Sequence, residues 1–130
     1  MIKLVLIGGG GHCKSCIEVI ESDARFAITG IIDKQINTAK SCLGVPFIGT
    51  DSDMERILSQ NDMALVTVGQ INTPEIRKKL YNLIKAFDKK MPIITAASSI
   101  VSRHSTIKQG SIIMHGAIIN ADADIGSNVI

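Results

Sequence analysis

The feature that most limits what this chain can fold into is a period of six between Val101 and Ile130. Val101, Ile107, Ile113, Ile119 and Ile125 recur at that interval, and four places after each comes a small residue or a valine: Ser105, Ser111, Ala117, Ala123 and Val129. A helix repeats every ~3.6 residues and a strand every second one, so neither sustains this pattern. Stacked triangular coils do. Each hexad forms one side of a turn, the aliphatic side chain points inward, and the small residue fits the corner. Three hexads complete a turn, so this segment supplies fewer than two turns. A coil of this kind hides its apolar surface only against the next coil. The repeat breaks off at Ile130, one residue into a new hexad and without a polar cap. The sequence is therefore expected to be the front part of a longer protein; the alternative reading is a short protein ending in irregular strands.

The residues before the repeat alternate strand-like and helix-like segments. Ile2 to Ile7 is a near-continuous apolar run, the pattern of a buried parallel strand. Gly8 to Gly11 and His12 follow at once, and Cys16, Ile17, Val19 and Ile20 then recur at helical spacing from Cys13 to Ser22. Strand, glycine loop and helix form an arrangement that cradles phosphate, because backbone N–H groups at the helix start point at the anion. Phe26 to Ile32 reads as a second strand ending at Asp33-Lys34, and Met63 to Val68 as a third, followed by the loop of Gly69, Gln70, Ile71 and Asn72. Gln35 to Gly44 is turn-like, and Val45 to Gly49 is a short extended piece suited to a sheet edge. Thr50 or Asp51 is placed to cap a helix over 52–59, with Met54, Ile57 and Leu58 inward. Thr73 caps another, with Pro74 at its first position and Ile76, Leu80, Leu83, Ile84 and Phe87 as its apolar stripe. Pro92 to Thr95 is a last strand leading out. This order predicts a small doubly wound α/β sheet with right-handed crossovers and ligand loops at the carboxyl ends of its strands. Those ends are the glycine loop, Asp33-Lys34 and Gly69-Gln70.

Several function classes fall away on composition. A net charge of +2, with basic residues scattered and only 3% aromatics, does not suit a nucleic-acid or anionic-membrane surface. No apolar run approaches the ~20 residues of a spanning helix, and Met1 to Ile7 runs into glycines without a cleavage pattern. Three cysteines, an odd count, fit a reducing compartment, and the chain reads as cytoplasmic.

The individual motifs carry alternatives. Gly8 and Gly10 fit the dinucleotide fingerprint, but Cys13 holds the third glycine place. His12 is either a donor to a phosphate or sugar, or a solvated loop or capping residue. Asp33 lies about 25 residues past Gly8, near the spacing of a ribose-reading carboxylate; with Lys34 it either reads a nucleotide or forms a polar turn. Cys13 and Cys16 make a C-x-x-C pair that can be redox-active at a helix start, or coincidental where, as here, Cys16 falls on the inner face. Metal binding would need two more ligands, and Cys42 with a histidine does not match zinc spacing. Arg77, Lys78 and Lys79 read as a solvated helix face. His104 and His115 occupy outward hexad positions, His115 where a subunit contact is possible, and Asp122 and Asp124 fall in hexad corners.

Taken together these residues resemble a known family. The glycine loop ending in His12, the strand end Ile31-Ile32-Asp33-Lys34, Thr67-Val68-Gly69 ahead of a helix reading from Glu75 to Tyr81, and the hexads are similar, in order along the whole chain, to the NeuD/PglD-type sugar O- or N-acetyltransferases. The resemblance implies a Rossmann-like domain over 1–97 and the start of a left-handed β-helix over 98–130. It implies an acetyl-CoA-dependent acetyltransferase acting on a nucleotide-linked, often amino, sugar in surface-glycan biosynthesis. By position, Gly10, Gly11, His12, Asp33, Lys34 and Gly69 match the residues that hold a UDP- or CMP-linked sugar. The family's β-helices form a homotrimer with acetyl-CoA between neighbours, and a β-helix histidine is the base. His115 comes too early to match that histidine. The base is therefore expected after Ile130, no residue of this chain is assigned as catalytic, and acetyl-CoA is not expected to bind it fully. The loop over 70–74 is longer than the family's usual Gly-Asn-Asn-type turn. No metal is implied. Two rival readings are an NAD(P)- or nucleotide-binding domain of an oxidoreductase or sensor, against which Cys13 and the hexads stand, and a non-enzymatic module that uses its hexads to trimerise.

Overall fold

The computed structural model describes residues 1–34, 40–70 and 72–130. Its first part is a five-stranded sheet. Strands β1 (Ile2–Ile7), β2 (Phe26–Asp33), β4 (Val45–Thr50) and β5 (Met63–Val66) are parallel, and β3 (Ser41–Cys42) is an antiparallel edge, giving the order β3-β4-β2-β1-β5. Helices α1 (Gly11–Glu21), α2 (Met54–Ser59) and α3 (Glu75–Ala86) connect them. The apolar run of β1 is explained by burial on both faces. Leu4 and Leu6 join Ile31, Leu65 and the inner face of α1 in one cluster. Val5 and Ile7 join Ile32, Val66, α2 and Ile84 of α3 in the other. With α1 on one face and α2 and α3 on the opposite one, the winding reverses at β1, and the carboxyl ends of β1, β2 and β5 border one crevice.

Some boundaries differ from the sequence reading for physical reasons. Val45–Thr50 is an inner strand and not an edge, because Ser41–Cys42 folds back on it. The turn-like reading of 35–44 is thus corrected at Ser41 and Cys42, while its part over 35–39 lies outside the described residues. The second helix starts with a 3₁₀ turn at Asp51–Asp53, where the Asp53 carboxylate accepts the Thr50 N–H at 2.9 Å. Met54, Ile57 and Leu58 are buried as expected. In α3, the Glu75 N–H donates to the Thr73 hydroxyl at 3.3 Å. The stripe is narrower than read: Ile84 is buried, but Ile76 and Phe87 are exposed.

The hexads form the second part. Strands β6 (Ile94–Thr95), β7 (Ile100–Val101) and β8 (Thr106–Ile107) pair in parallel with β9 (Ile112–Ile113), β10 (Ile118–Ile119) and β11 (Asp124–Ile125), each strand with the one three hexads on. The coil therefore begins at Ile94. The strand read as leading out of the sheet is its first side, and the six strands make two turns instead of fewer. At the corners the small residue closes a β-turn: Ser105 N–H to Ser102 O at 3.1 Å, Ala117 N–H to Met114 O at 3.3 Å, and Ala123 N–H to Asn120 O at 3.2 Å. The residue just before the small one takes a left-handed backbone at Gly116 (φ 72°), Asp122 (φ 66°) and Asn128 (φ 59°). Glycine, asparagine and aspartate are the residues that tolerate it. Asp122 thus sits in a corner as expected, while Asp124 lies on strand β11.

The three sides of the coil meet different surroundings. The outward residues of β6 and β9, Ile94 and Ile112, are fully buried in the same cluster as α1. Burying each contributes roughly 1.5–3 kcal/mol. Polar contacts join the coil to two helices: Ala97 N–H donates to Ser22 Oγ, at the end of α1, at 3.1 Å, and Gln109 Nε2 to the Tyr81 hydroxyl of α3 at 3.2 Å.

Candidate nucleotide-sugar site

The crevice at the strand ends is built from the glycine loop outward. Gly8 N–H donates to Ile32 O at 2.8 Å, and its own carbonyl accepts the Thr67 hydroxyl at 2.6 Å. At φ 116°, with Val68 where a side chain would stand, this position needs glycine. Gly9 is pressed against the Phe47 ring, and Asp33 Oδ2 lies 2.9 Å from where a Cβ would be. Gly10 then caps α1 with no side-chain partner for the helix start, and among the described residues, its chain neighbours and the helix backbone aside, no atom lies within 4 Å of the place of a Cβ at Gly10 or Gly11. Open space therefore adjoins the positive end of the helix dipole.

His12 stands in the first turn of α1, half-buried. Its Cβ is 3.4 Å from where a side chain at Gly69 would begin, an ordinary contact distance that puts the loop after β5 beside the start of the helix. Its Nε2 is 3.2 Å from Cys16 Sγ, one helical turn on. Burial, and then the positive charge of Arg77, hold the imidazole below its ordinary pKa. Asp33 ends β2 beside the glycine loop, and its Oδ1 accepts the Lys34 N–H at 3.0 Å. Lys34 itself is exposed. The fold thus brings Asp33 to Gly9, and His12 to Gly69, at one end of the sheet. Of the loop after β5, Ile71 lies outside the described residues.

The cysteines are buried and free. Burial pushes the Cys13 and Cys16 thiols up to about 12, so both stay protonated near neutrality and neither has the thiolate that redox chemistry needs. Among the described residues no His, Cys, Asp and Glu cluster has metal-ligand geometry.

Arg77 corrects the sequence reading most sharply. Lys78 and Lys79 are exposed as expected, but Arg77 is 1% exposed. Its Nη1 donates to Val66 O at 3.2 Å and Val68 O at 2.9 Å, and its Nε to Asn128 O at 2.9 Å. Asn128 Nδ2 returns a bond to Arg77 O at 3.3 Å. The end of edge strand β5 leaves carbonyls with no strand beyond them, and the guanidinium fork fits them. Among the described residues its Nη2 and Asn128 Oδ1 have no hydrogen-bond partner.

Residues 3–84, more than half of the sequence, match the family model of the PglD N-terminal domain. The chain belongs to that family. Two solved structures extend the likeness of this PglD-type chain into the coil. A mutant of perosamine N-acetyltransferase from Caulobacter crescentus, in complex with CoA and GDP-perosamine, is similar at 30% identity and a TM-score of 0.85 over 97% of this chain and 58% of that one. The acetyltransferase domain of PglB from Neisseria gonorrhoeae is similar at 29% identity and a TM-score of 0.85, over 98% of this chain and 60% of that one; another structure of that domain contains acetyl coenzyme A. The chain thus spans about three fifths of the length of these structures. No curated sequence matches it.

Sequence reasoning missed Phe47, Thr67 and Arg77 as parts of the site. Phe47 gave no signal, and Thr67 none for this role, since which loop a residue on a strand or just past its end meets is a tertiary fact. Arg77 did give one. It lies seven residues before Ile84 and three before Leu80, on the buried stripe of α3.

Proposed function

We propose that this chain carries the nucleotide-sugar-binding part of an acetyl-CoA-dependent sugar acetyltransferase of surface-glycan biosynthesis. The observation that carries the reading is the likeness of sheet and coil together to an N-acetyltransferase solved with CoA and a GDP-sugar. In this reading the N–H groups at Gly11 and His12 face the diphosphate, with Gly10 leaving room for it. His12 donates to the ligand, Asp33 and Lys34 read the nucleoside, and Gly69 bounds the sugar side. The reaction joins a sugar amine or hydroxyl to the acetyl carbon, releases the CoA thiol, and needs a base for the proton lost by the nucleophile. That base is assigned to no residue of this chain. Acetyl-CoA is likewise assigned none.

The side of the coil made by β7 and β10 is assigned to a neighbouring copy in a trimer. Its outward residues, Ile100 and Ile118, are apolar and 65% and 62% exposed, whereas Thr106 and Asp124 on the next side are polar. The protein is placed in the cytoplasm, in keeping with its three buried free cysteines. Among the described residues no helix is long and apolar enough to cross a membrane.

Calorimetric titration of the chain with UDP-, GDP- and CMP-linked sugars, and with NADH, tests the binding role. One nucleotide sugar should bind, and Asp33→Ala should weaken it at least tenfold. Binding of NADH in its place, or of no nucleotide at all, overturns the reading.

A further inference from the structure

The Cys16 thiol belongs to a pair whose redox reading the structure removes, yet it sits where it acts on the site. Cys16 lies one helical turn below His12, so its side chain reaches back along the helix face toward the crevice. Its Sγ is 3.2 Å from His12 Nε2, and it is fully buried. We propose that Cys16 is a positioning residue: its S–H donates to His12 Nε2, which fixes the ring as the Nδ1–H tautomer and leaves Nδ1–H as the donor offered to a ligand in the crevice. The ligand half of this inference rests on the function proposed above; the tautomer half does not.

The donor inventory decides the direction of the bond. A protonated thiol has one hydrogen to give, and sulfur is a weak acceptor. Burial keeps the Cys16 thiol protonated. Among the described residues His12 Nε2 is the polar atom it meets. With the other tautomer, Nε2–H would point at sulfur and the buried S–H would be left without an acceptor, so the ring takes its proton on Nδ1. The ring also has to be neutral for Nε2 to accept. Its burial, and then the Arg77 cation, both disfavour imidazolium. The arrangement follows the general rule that the hydrogen bond made by one ring nitrogen sets what the other presents.

Long-range ¹H–¹⁵N spectra of the ligand-free chain, with His12 assigned by its loss in His12→Gln, read the tautomer directly. The wild type should show a protonated Nδ1. Cys16→Ala should move His12 to the Nε2–H form that free histidine side chains prefer, and Cys16→Ser, which keeps a donor, should restore Nδ1–H. Far-UV circular dichroism of each variant establishes that it folds. Titration of the same proteins with UDP, GDP and CMP should show roughly tenfold weaker binding for Cys16→Ala and recovery for Cys16→Ser. A protonated Nε2 in the wild type, or a His12 tautomer indifferent to Cys16→Ala, overturns the proposal. So does a tautomer shift with unchanged nucleotide affinity, since the donor would then not serve the ligand. Absence of nucleotide binding by the wild type sinks the proposed function and, with it, the ligand half, while the ring spectra still decide whether Cys16 sets the tautomer.

Discussion

Gly9 and Gly10 are chain neighbours with opposite tolerances. A methyl group at Gly9 meets the Phe47 ring and the Asp33 carboxylate, whereas one at Gly10 meets none of the described residues, on an extended backbone that alanine adopts freely. Gly9→Ala is expected to cost about 1–3 kcal/mol, as overpacking does. Gly10→Ala should leave the urea midpoint nearly unchanged and weaken nucleotide binding, because the space it fills is the space assigned to phosphate. Equal losses of stability in the two variants would contradict this geometry. Arg77→Met should cost about 3 kcal/mol, since it strands buried carbonyls at Val66, Val68 and Asn128. It should also raise the His12 pKa, because a cation that opposes protonation is gone; an NMR titration reads this. His12 has a further consequence for pH. Its folded pKa lies below the ordinary 6.5, so just below that pH the unfolded chain binds more protons than the folded one. Stability should be full above pH 6.5 and fall as the pH drops through the folded pKa. The dependence should be absent in His12→Gln, which a series of urea melts would establish.

At the scale of elements, the coil depends on two positions of the hexad and not one. The inward aliphatic residue fills the interior, and the residue before the small one turns the corner with a left-handed backbone at Gly110, Gly116, Asp122 and Asn128. Asp122→Val should therefore destabilise by at least the roughly 1–2 kcal/mol that a left-handed conformation costs an L-residue. Asp122→Gly should be neutral or slightly stabilising, and thermal melting of the pair separates backbone strain from loss of charge. The inward positions were legible because a period of six has few physical interpretations. The corner positions were equally present in the sequence, as Gly, Gly, Asp and Asn six apart, and only the dihedral angles give them a reason. In α3 the legible part was the helix itself and its Thr73 cap. The burial of Arg77 was not, because a guanidinium is buried only where fixed acceptors await it, and those lie on β5 and in the last corner of the coil.

At the scale of the whole molecule, the coil is a prism whose sides have three different fates. One is buried on α1, one is apolar and bare, and one is polar. The bare side predicts that Ile118→Glu, an exposed substitution, leaves the fold of the chain intact and weakens self-association. Sedimentation velocity of the wild type and the variant across a range of concentrations measures it, and identical distributions would remove that side from the assembly.

The sequence by itself determined the winding sheet, the glycine loop, the strand-end positions of Asp33 and Gly69, and the coil, because each is written in local periodicity or in residues with restricted backbone chemistry. Tertiary structure alone decided that Ile94–Thr95 belongs to the coil and that the Phe47 ring covers Gly9. It alone closed His12 against Gly69 and joined sheet and coil through Arg77. These are contacts between segments far apart in the chain. A side chain's partner there is set by how the layers pack, and spacing along the sequence carries no record of it.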